Sequence, residues 1–378
     1  MADRLEDSFA ESLIAVLDSE SSSWLATEEI INRLKSSLEP AATKESWKYT
    51  PVRDFLAGFT ANAAVTPEIN GANQSGITTT ALSASREFTR GPAALANTNP
   101  LPLADAALLY AGDAVHIKVS AEIAQPVEIN YGDGVQTPIV ITLEDNASLQ
   151  LIERNVAQEF CNHSLFIELN RGSRLVHARS ALDGNCCDWG LTQVRLWESS
   201  DYRSQQYHTG ARKRRVETLI LLDGRGARAE LTGAYVVESG THLDQQFVIE
   251  HRAPDTFSKQ TFHGIGAGKG TIVFNGRIHI HPDSPGSDAS LVNKNIALHR
   301  EATINTKPEL EIYTDDVKCA HGATVGQLAE ESIFYLRSRG LSRNGARTLL
   351  CRAFLSSCIE GVLTQEVTEV LLRHLADS

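Results

Sequence analysis

From about Val115 to Ile312, apolar and polar residues alternate in short runs such as VHIKV, PIVITLE, SLQLIE, SLFIEL, RLVHARS, VETLILL and TIVFNGRIHI. Period-two alternation places every second side chain on one face, so each run predicts a strand with one buried side. Turn clusters such as EDNA, NRGS, DGRGA and GAGKG separate the runs. Three turns share a form, a small residue and then Ser or Arg leading into a strand: Ala147-Ser148, Gly172-Ser173 and Gly226 to Arg228. The first interval is 25 residues and the second 54, about two such units. A coil of that length made of short strands predicts a β-solenoid rather than a sandwich.

Helical spacing flanks this region. Leu5, Phe9, Leu13, Ile14 and Leu17 recur on one helix face, and the run stops at Ser19–Ser23. Ile30, Ile31, Leu34 and Leu38 form a second pattern, closed by Pro40. In SWKYTPVRDFLAG the aromatics Trp47, Tyr49 and Phe55 predict a segment docked onto the body of the protein. Residues Thr60 to Pro102 are rich in Ala, Thr, Asn, Ser and Gly and read as a long connecting segment. Helical spacing returns from Thr324 to Ser378, with Thr324 and Gln327 as a candidate capping box. Ala346, Leu349, Leu350, Ala353 and Phe354 predict the apolar face of a second helix, with Cys351 and Cys358 as small buried hydrophobes. The expected organisation is a helical region over 1–59, a connecting segment over 60–104, a β-helix core over 105–322 and a helical region over 323–378. Helical ends would cover the open ends of a solenoid.

Composition narrows the function classes. Of 378 residues, 47 are acidic and 35 are Lys or Arg, a formal charge of −12. An acidic surface repels phosphate backbones, which argues against a nucleic-acid partner. The basic run Arg212 to Arg215 has no interleaved aromatics and reads as a solvated turn. No 18-residue apolar run occurs, and the acidic N-terminus has no signal-peptide core, so no membrane span is expected. The six cysteines show no framework spacing and no C-x-x-C, which fits a reducing, cytoplasmic setting.

The candidate chemistry sits in DDVKCAHGATVG, Asp315 to Gly326. On an extended chain Cys319 and His321 point the same way, with Cα atoms ~6.6 Å apart. A thiolate and an imidazole suit iron, copper or zinc. Two ligands are half a site, so distant residues or another chain must complete it; a buried Cys beside a turn His is the plainer alternative. A Cys–His hydrolase would need a third, orienting residue and an oxyanion hole, and nothing nearby supplies them. His279-Ile280-His281 is a second same-face pair, read as solvent-exposed structural histidines because Pro282 ends the strand. HGIGAGKGT fails as a phosphate loop, since Gly270 follows Lys269 and His263 stands where the first glycine belongs.

DDVKCAHGATVG, followed by QLAEESIFYLRSRGL and RNGARTLLCRAF, resembles the C-terminal signature of the SufD family, a subunit of the SUF iron–sulfur cluster assembly scaffold. THLDQQFVIEHRAPDTFSKQTFHGI, IVFNGRIHI and NKNIALHREATINTKPELEIY are similar to the core of that family, and SWKYTPVRDF resembles a motif near its N-terminus. The sister subunit SufB is typically longer, has a cysteine-rich N-terminal part and lacks the Lys-Cys-x-His-Gly-Ala-Thr-Val-Gly form. No Cys precedes Cys161 here, so the resemblance is to SufD.

The resemblance implies a right-handed parallel β-helix between helical ends and a heterodimer with SufB. It implies a SufC ATPase held by the C-terminal helices, and Cys319 and His321 at the SufB–SufD interface, where a nascent cluster or its iron is held. Shared with a partner, that cargo would not bind tightly to the isolated chain, which could instead form a homodimer. Arg337, Arg339, Arg347 and Arg352 concentrate positive charge on the C-terminal helices and are the expected partner-binding residues. On this reading the chain is a scaffold and not an enzyme. Two alternatives stay open: a purely structural partner subunit without a ligand role, and a carbohydrate-active β-helix enzyme.

Overall fold

The computed structural model describes residues 47–50, 65–81, 113–182 and 185–376. Eighteen strands and three helices are present among them. From β3 (Val115–Val119) to β18 (Val317–Gly326) the chain winds as a parallel β-helix of about eight coils. The even-numbered strands β4 (Val127–Tyr131), β6 (Ser148–Asn155), β8 (Arg174–Ala181), β10 (Asp201–Thr209), β12 (Arg228–Val237), β14 (Phe257–Gly266), β16 (Ser287–Ala297) and β18 stack in that order in one sheet, with β1 (Glu68–Asn70) beside β4. The odd-numbered strands β3, β5 (Ile139–Leu143), β7 (Phe160–Leu169), β9 (Cys187–Leu196), β11 (Lys213–Leu222), β13 (His242–His251), β15 (Thr271–Ile280) and β17 (Thr303–Ile312) stack in that order in the other, with β2 (Ile77–Ala81) beside β3. Each coil therefore contributes one strand to each sheet, and the facing sides of the sheets enclose the core. Leu165, Val194, Ile220, Ile249 and Ile278 of five successive odd-numbered strands are all buried there. Towards the last coils, Phe247, Phe262 and Phe274 pack with centroids 4.5–5.4 Å apart.

The coil repeat is set by one row of turns. Asn146, Gly172, Ser199, Gly226, Asp255 and Gly286 all have φ between 57° and 74°. They recur every 26–31 residues, where the chain passes from an odd-numbered strand to the next even-numbered one. Each donates its backbone N–H to a carbonyl of the following coil, as from Gly172 to Glu198 at 2.9 Å and from Ser199 to Arg225 at 3.0 Å. The expected turns at Ala147-Ser148, Gly172-Ser173 and Gly226 to Arg228 belong to this row. The remaining steps carry Ser or Asp at the left-handed position, or widen the spacing, which hides the period.

The two ends of the solenoid differ. At the first coil, β1 (Glu68–Asn70) and β2 (Ile77–Ala81) pair antiparallel with β4 and β3 and close both sheets. Both strands come from within 60–104, the stretch read as a connecting segment. At the last coil, among the described residues, β17 (Thr303–Ile312) pairs only with β15, and β18 pairs only with β16. The C-terminal helices do not cover this end. Helices α2 (Arg343–Ser356) and α3 (Thr364–Ala376) lie against the outer face of the even-numbered sheet. There Cys351, Leu355, Cys358, Leu363, Val367 and Leu371 meet Ile152, Tyr207, Val236 and Ile265.

Other expectations change in detail. Thr324 lies inside β18, so no capping box forms; α1 (Glu330–Ser338) starts from Ala329 without a side-chain cap. Ser342 caps α2 instead, accepting from the Gly345 N–H at 3.0 Å. On α2 the buried residues are Ala346, Cys351 and Leu355, while Leu349 and Ala353 face outward. Cys351 therefore belongs to the packed face, as does Cys358, and both thiols are pushed up by burial. The basic run is not a solvated turn. Arg214 points inward to Asp188 at 2.9 Å, and Arg215 lies under Trp47 on the outer face, bound to Asp244 and Glu217 at 2.6 Å each. Alternation in β11 (Lys213–Leu222) forces adjacent arginines to opposite sides, and each finds buried carboxylates. Trp47 is thus the docked aromatic of its segment, Tyr49 is exposed, and Phe55 lies outside the described residues. The helical patterns expected before residue 47 also lie outside them.

Candidate functional site

Cys319 and His321 sit on β18, the last strand of the even-numbered sheet. Their cross-strand partners on β16 (Ser287–Ala297) are Ala289 and Leu291, both core residues. Cys319 and His321 therefore occupy the core-facing row of the last coil, as period-two alternation requires. Among the described residues no further coil lies over them, so the row is open there: Cys319 is half-buried and His321 exposed. Cys319 packs against the core margin, and burial together with the Asp288 carboxylate raises its thiol pKa. A raised pKa keeps the thiol protonated at neutral pH, so a metal ion would have to displace that proton. Beyond His321, Gly322 and Gly326 have nothing within 4 Å of an added Cβ, which leaves the strand surface open.

Among the described residues, Cys319 and His321 join no third metal-ligating side chain. The arrangement is a same-face thiol and imidazole on an edge that no described strand pairs. Beside it, β17 and β18 each present ten residues whose outer ladder groups lack a neighbouring strand among the described residues. Ile312, Tyr313 and Val325 expose 42%, 60% and 50% of their surface here, unusual on so well-packed a solenoid. Long unpaired edges with exposed apolar residues invite another chain.

The arginines expected to bind a partner fall on the helices. Arg337 and Arg339 are exposed on and just after α1, Arg347 is half-buried on α2, and Arg352 is exposed. Helix α1 buries only Ile333; Phe334 and Tyr335 beside the arginines expose 72% and 58%. Arg352 also borders a groove lined by Leu355, Ile359, Leu371 and Leu372. The surface is therefore mixed, cationic and apolar, with Leu349 on it rather than beneath it.

Two groups of three ligand-type side chains escaped sequence reading. Inside the solenoid, Cys161, His163 and Asp188 converge. Arg179 contacts His163, and Arg214 binds Asp188 at 2.9 Å, so two guanidiniums already occupy the space a cation would need. Burial, reinforced by Arg179, lowers the His163 pKa to about 4, and burial raises that of Cys161. This cluster is a structural ion network. Glu250, His279 and His281 form the second group. His279 and His281 are not simply solvent-exposed: both face the buried Glu250 carboxylate on the neighbouring strand.

Comparison with known proteins bears on the whole arrangement. The domain family described as SUF system FeS cluster assembly, SufBD core domain, matches residues 128–354. The chain is 28% identical over 240 residues to the iron-sulfur cluster assembly protein SufD of Escherichia coli, covering 62% of this chain and 57% of that protein. It is 27% identical over 294 residues to an iron-sulfur cluster assembly SufBD family protein of Synechocystis sp., covering 72% and 64%. Over 284 residues it is 25% identical to the chloroplastic protein ABCI7 of Arabidopsis thaliana, covering 69% and 59%. The matches thus span less than two thirds of the length of these curated relatives.

Proposed function

Because the chain belongs to the SufBD core-domain family of SUF-system FeS cluster assembly proteins, we propose that it is a SufD-like scaffold subunit that completes its metal site with a partner. The partner is a SufB-type subunit seated on the open last coil. A nascent cluster or its iron is the cargo at that interface, with His321 as a ligand and Cys319 as the second. A SufC-type ATPase docks on the C-terminal helices through Arg337, Arg339, Arg347 and Arg352. The observation that carries this reading is the pairing of a half-site with an uncapped sheet edge. A site with two ligands and a coil that no described residue covers have the same remedy, a second chain.

In the isolated chain the same edge is open to a second copy, so a homodimer is expected when the partner is absent. The raised Cys319 pKa supports a narrower version of the proposal, in which the thiol stands by and His321 alone ligates. Cluster assembly on the complex tests both. Truncating an exposed imidazole removes little packing, so His321→Ala should leave thermal unfolding and complex formation intact while lowering iron and sulfide incorporation severalfold. Normal incorporation by His321→Ala overturns the ligand role. Cys319→Ser then tells the two versions apart, since a spectator thiol can be lost without effect. A stoichiometric cluster on the isolated chain would overturn the shared site.

A further inference from the structure

We propose that Glu250, His279 and His281 form a binding site for one divalent first-row transition ion, on the outer face of the odd-numbered sheet and separate from Cys319 and His321. The register builds it. Glu250 on β13 (His242–His251) is the cross-strand partner of His279 on β15 (Thr271–Ile280), which is in turn the partner of Glu311 on β17. All three belong to the row facing away from the core, because Ile249, Ile278 and Leu310 beside them pack inward. His281, two residues beyond His279, falls on the same side. Parallel strands run ~4.8 Å apart, so side chains in one rung meet without strain.

The donor atoms already converge. Glu250 Oε2 lies 3.1 Å from His279 Nδ1 and 2.5 Å from His281 Nε2. Ligands bonded at roughly 2.0–2.2 Å to one ion are themselves about 3 Å apart, so modest adjustment opens a coordination face. The two rings stack at 4.0 Å, which directs both nitrogens to the same carboxylate. A neutral imidazole can present either nitrogen unprotonated, with its proton on the other. Glu250 is fully buried, yet its Oε1 has no hydrogen-bond partner. Its nearest cation is the Arg277 guanidinium, 3.6 Å from Oε1 and beyond hydrogen-bond distance, so this buried oxygen keeps acceptor capacity for an ion. The histidines are 19% and 32% exposed at the side chain, which gives an ion a route in.

Charge and donor type set the ion. Two imidazoles and a carboxylate with open positions suit ferrous iron, cobalt or zinc, whereas magnesium and calcium favour all-oxygen sites. Arg277 and Arg252 stand 3.6 and 3.7 Å from Glu250, and they oppose a cation. Glu311, 3.9 Å from His279 Nδ1 and 3.6 Å from Arg277, offsets one of them. This is the contrast with the interior Cys161, His163 and Asp188 group, which has guanidiniums in the middle and no opening.

The probe is Co(II), titrated into the full chain carrying Cys319→Ser and His321→Ala so that the edge site is silent. One equivalent should bind, with ligand-field absorption but no thiolate charge-transfer band. His279→Gln with His281→Gln keeps amide donors for Glu250 but removes both ligands. It should weaken binding by more than roughly tenfold, the loss that even outer-shell changes cause, with unchanged thermal unfolding. Each single Gln variant, which disturbs the cluster less, should weaken binding as well. No binding at ~100 µM Co(II), an affinity weaker than about −5.5 kcal/mol, overturns the proposal. So does binding that survives in the Gln variants.

Discussion

His263 stacks on Phe354 with ring centroids 4.4 Å apart and planes 9° from parallel, and its Nδ1–H donates to the Phe354 carbonyl at 2.8 Å. One residue lies on the outer row of β14 (Phe257–Gly266), the other on α2, so this contact fastens the helices to the solenoid. His263→Ala removes the stack and one of two donors to that carbonyl, the other being Ser357 Oγ at 3.1 Å, a cost of about 1–2 kcal/mol. Amide exchange should quicken in α2 and α3 and stay unchanged in the strands. Uniform quickening would mean that the helices and the solenoid open as one unit.

The row of left-handed turns allows a graded test. At Gly226, φ is +71° and the nearest atom to an added Cβ is Ser199 Oγ at 3.7 Å, so only conformation opposes alanine. At Gly172, φ is +67° and the Cβ would meet Asn146 Oδ1 at 2.5 Å. Gly226→Ala should cost about 1 kcal/mol, and Gly172→Ala more. Urea midpoints measured side by side check the order; equal losses would show that the Asn146 side chain yields freely.

This row also explains how far the sequence could be read. Alternation along β11 or β15 is visible in the residues themselves, because one face is core and the other is not. The coil period is visible only where glycine or alanine fills the turn. Ser199 and Asp255 adopt the same left-handed backbone, and nothing local announces it. Cys319 and His321 were legible as a same-face pair, since spacing along one strand fixes their direction. Their position at an uncapped end was not, because it depends on where β1, β2 and the helices go. Glu250 was missed for the same reason: it lies one coil before His279, and only the register joins them. Arg214 and Arg215 misled through composition, which cannot show a carboxylate waiting on the next strand.

The helical surface should separate two partners. Phe334 is 72% exposed, so Phe334→Ala is expected to leave stability within about 0.5 kcal/mol. Under the proposed function it should weaken capture of a SufC-type ATPase. Arg347→Glu with Arg352→Glu should abolish that capture by reversing charge at the same surface. Pairing at the β18 edge should persist in a pull-down with a SufB-type subunit. Retention of the ATPase by both variants would move its docking site elsewhere.

Acid should loosen this protein above the range where carboxylates titrate. His163 and His208 are buried inside the solenoid, and burial lowers both their pKa values, that of His163 to about 4. Arg179 adds to the effect in both cases, and neither nitrogen of His208 has a hydrogen-bond partner. An imidazole with a lowered folded pKa binds its proton more readily when unfolded. Its contribution is then fully present above the unfolded value near 6.5 and is lost as pH falls towards the folded value. For His163 that window runs from about 6.5 to about 4, and protonation at its lower end removes on the order of 3 kcal/mol. Glu153, held low beside His177 and Arg179, titrates below the window and does not confuse it. Urea unfolding at pH 7.5, 6 and 5 should show stability falling with pH, and His163→Gln should flatten the slope. A slope unchanged by His163→Gln would mean that this imidazole accepts its proton in the folded protein at no cost, with Asp188 at 3.6 Å outweighing Arg179.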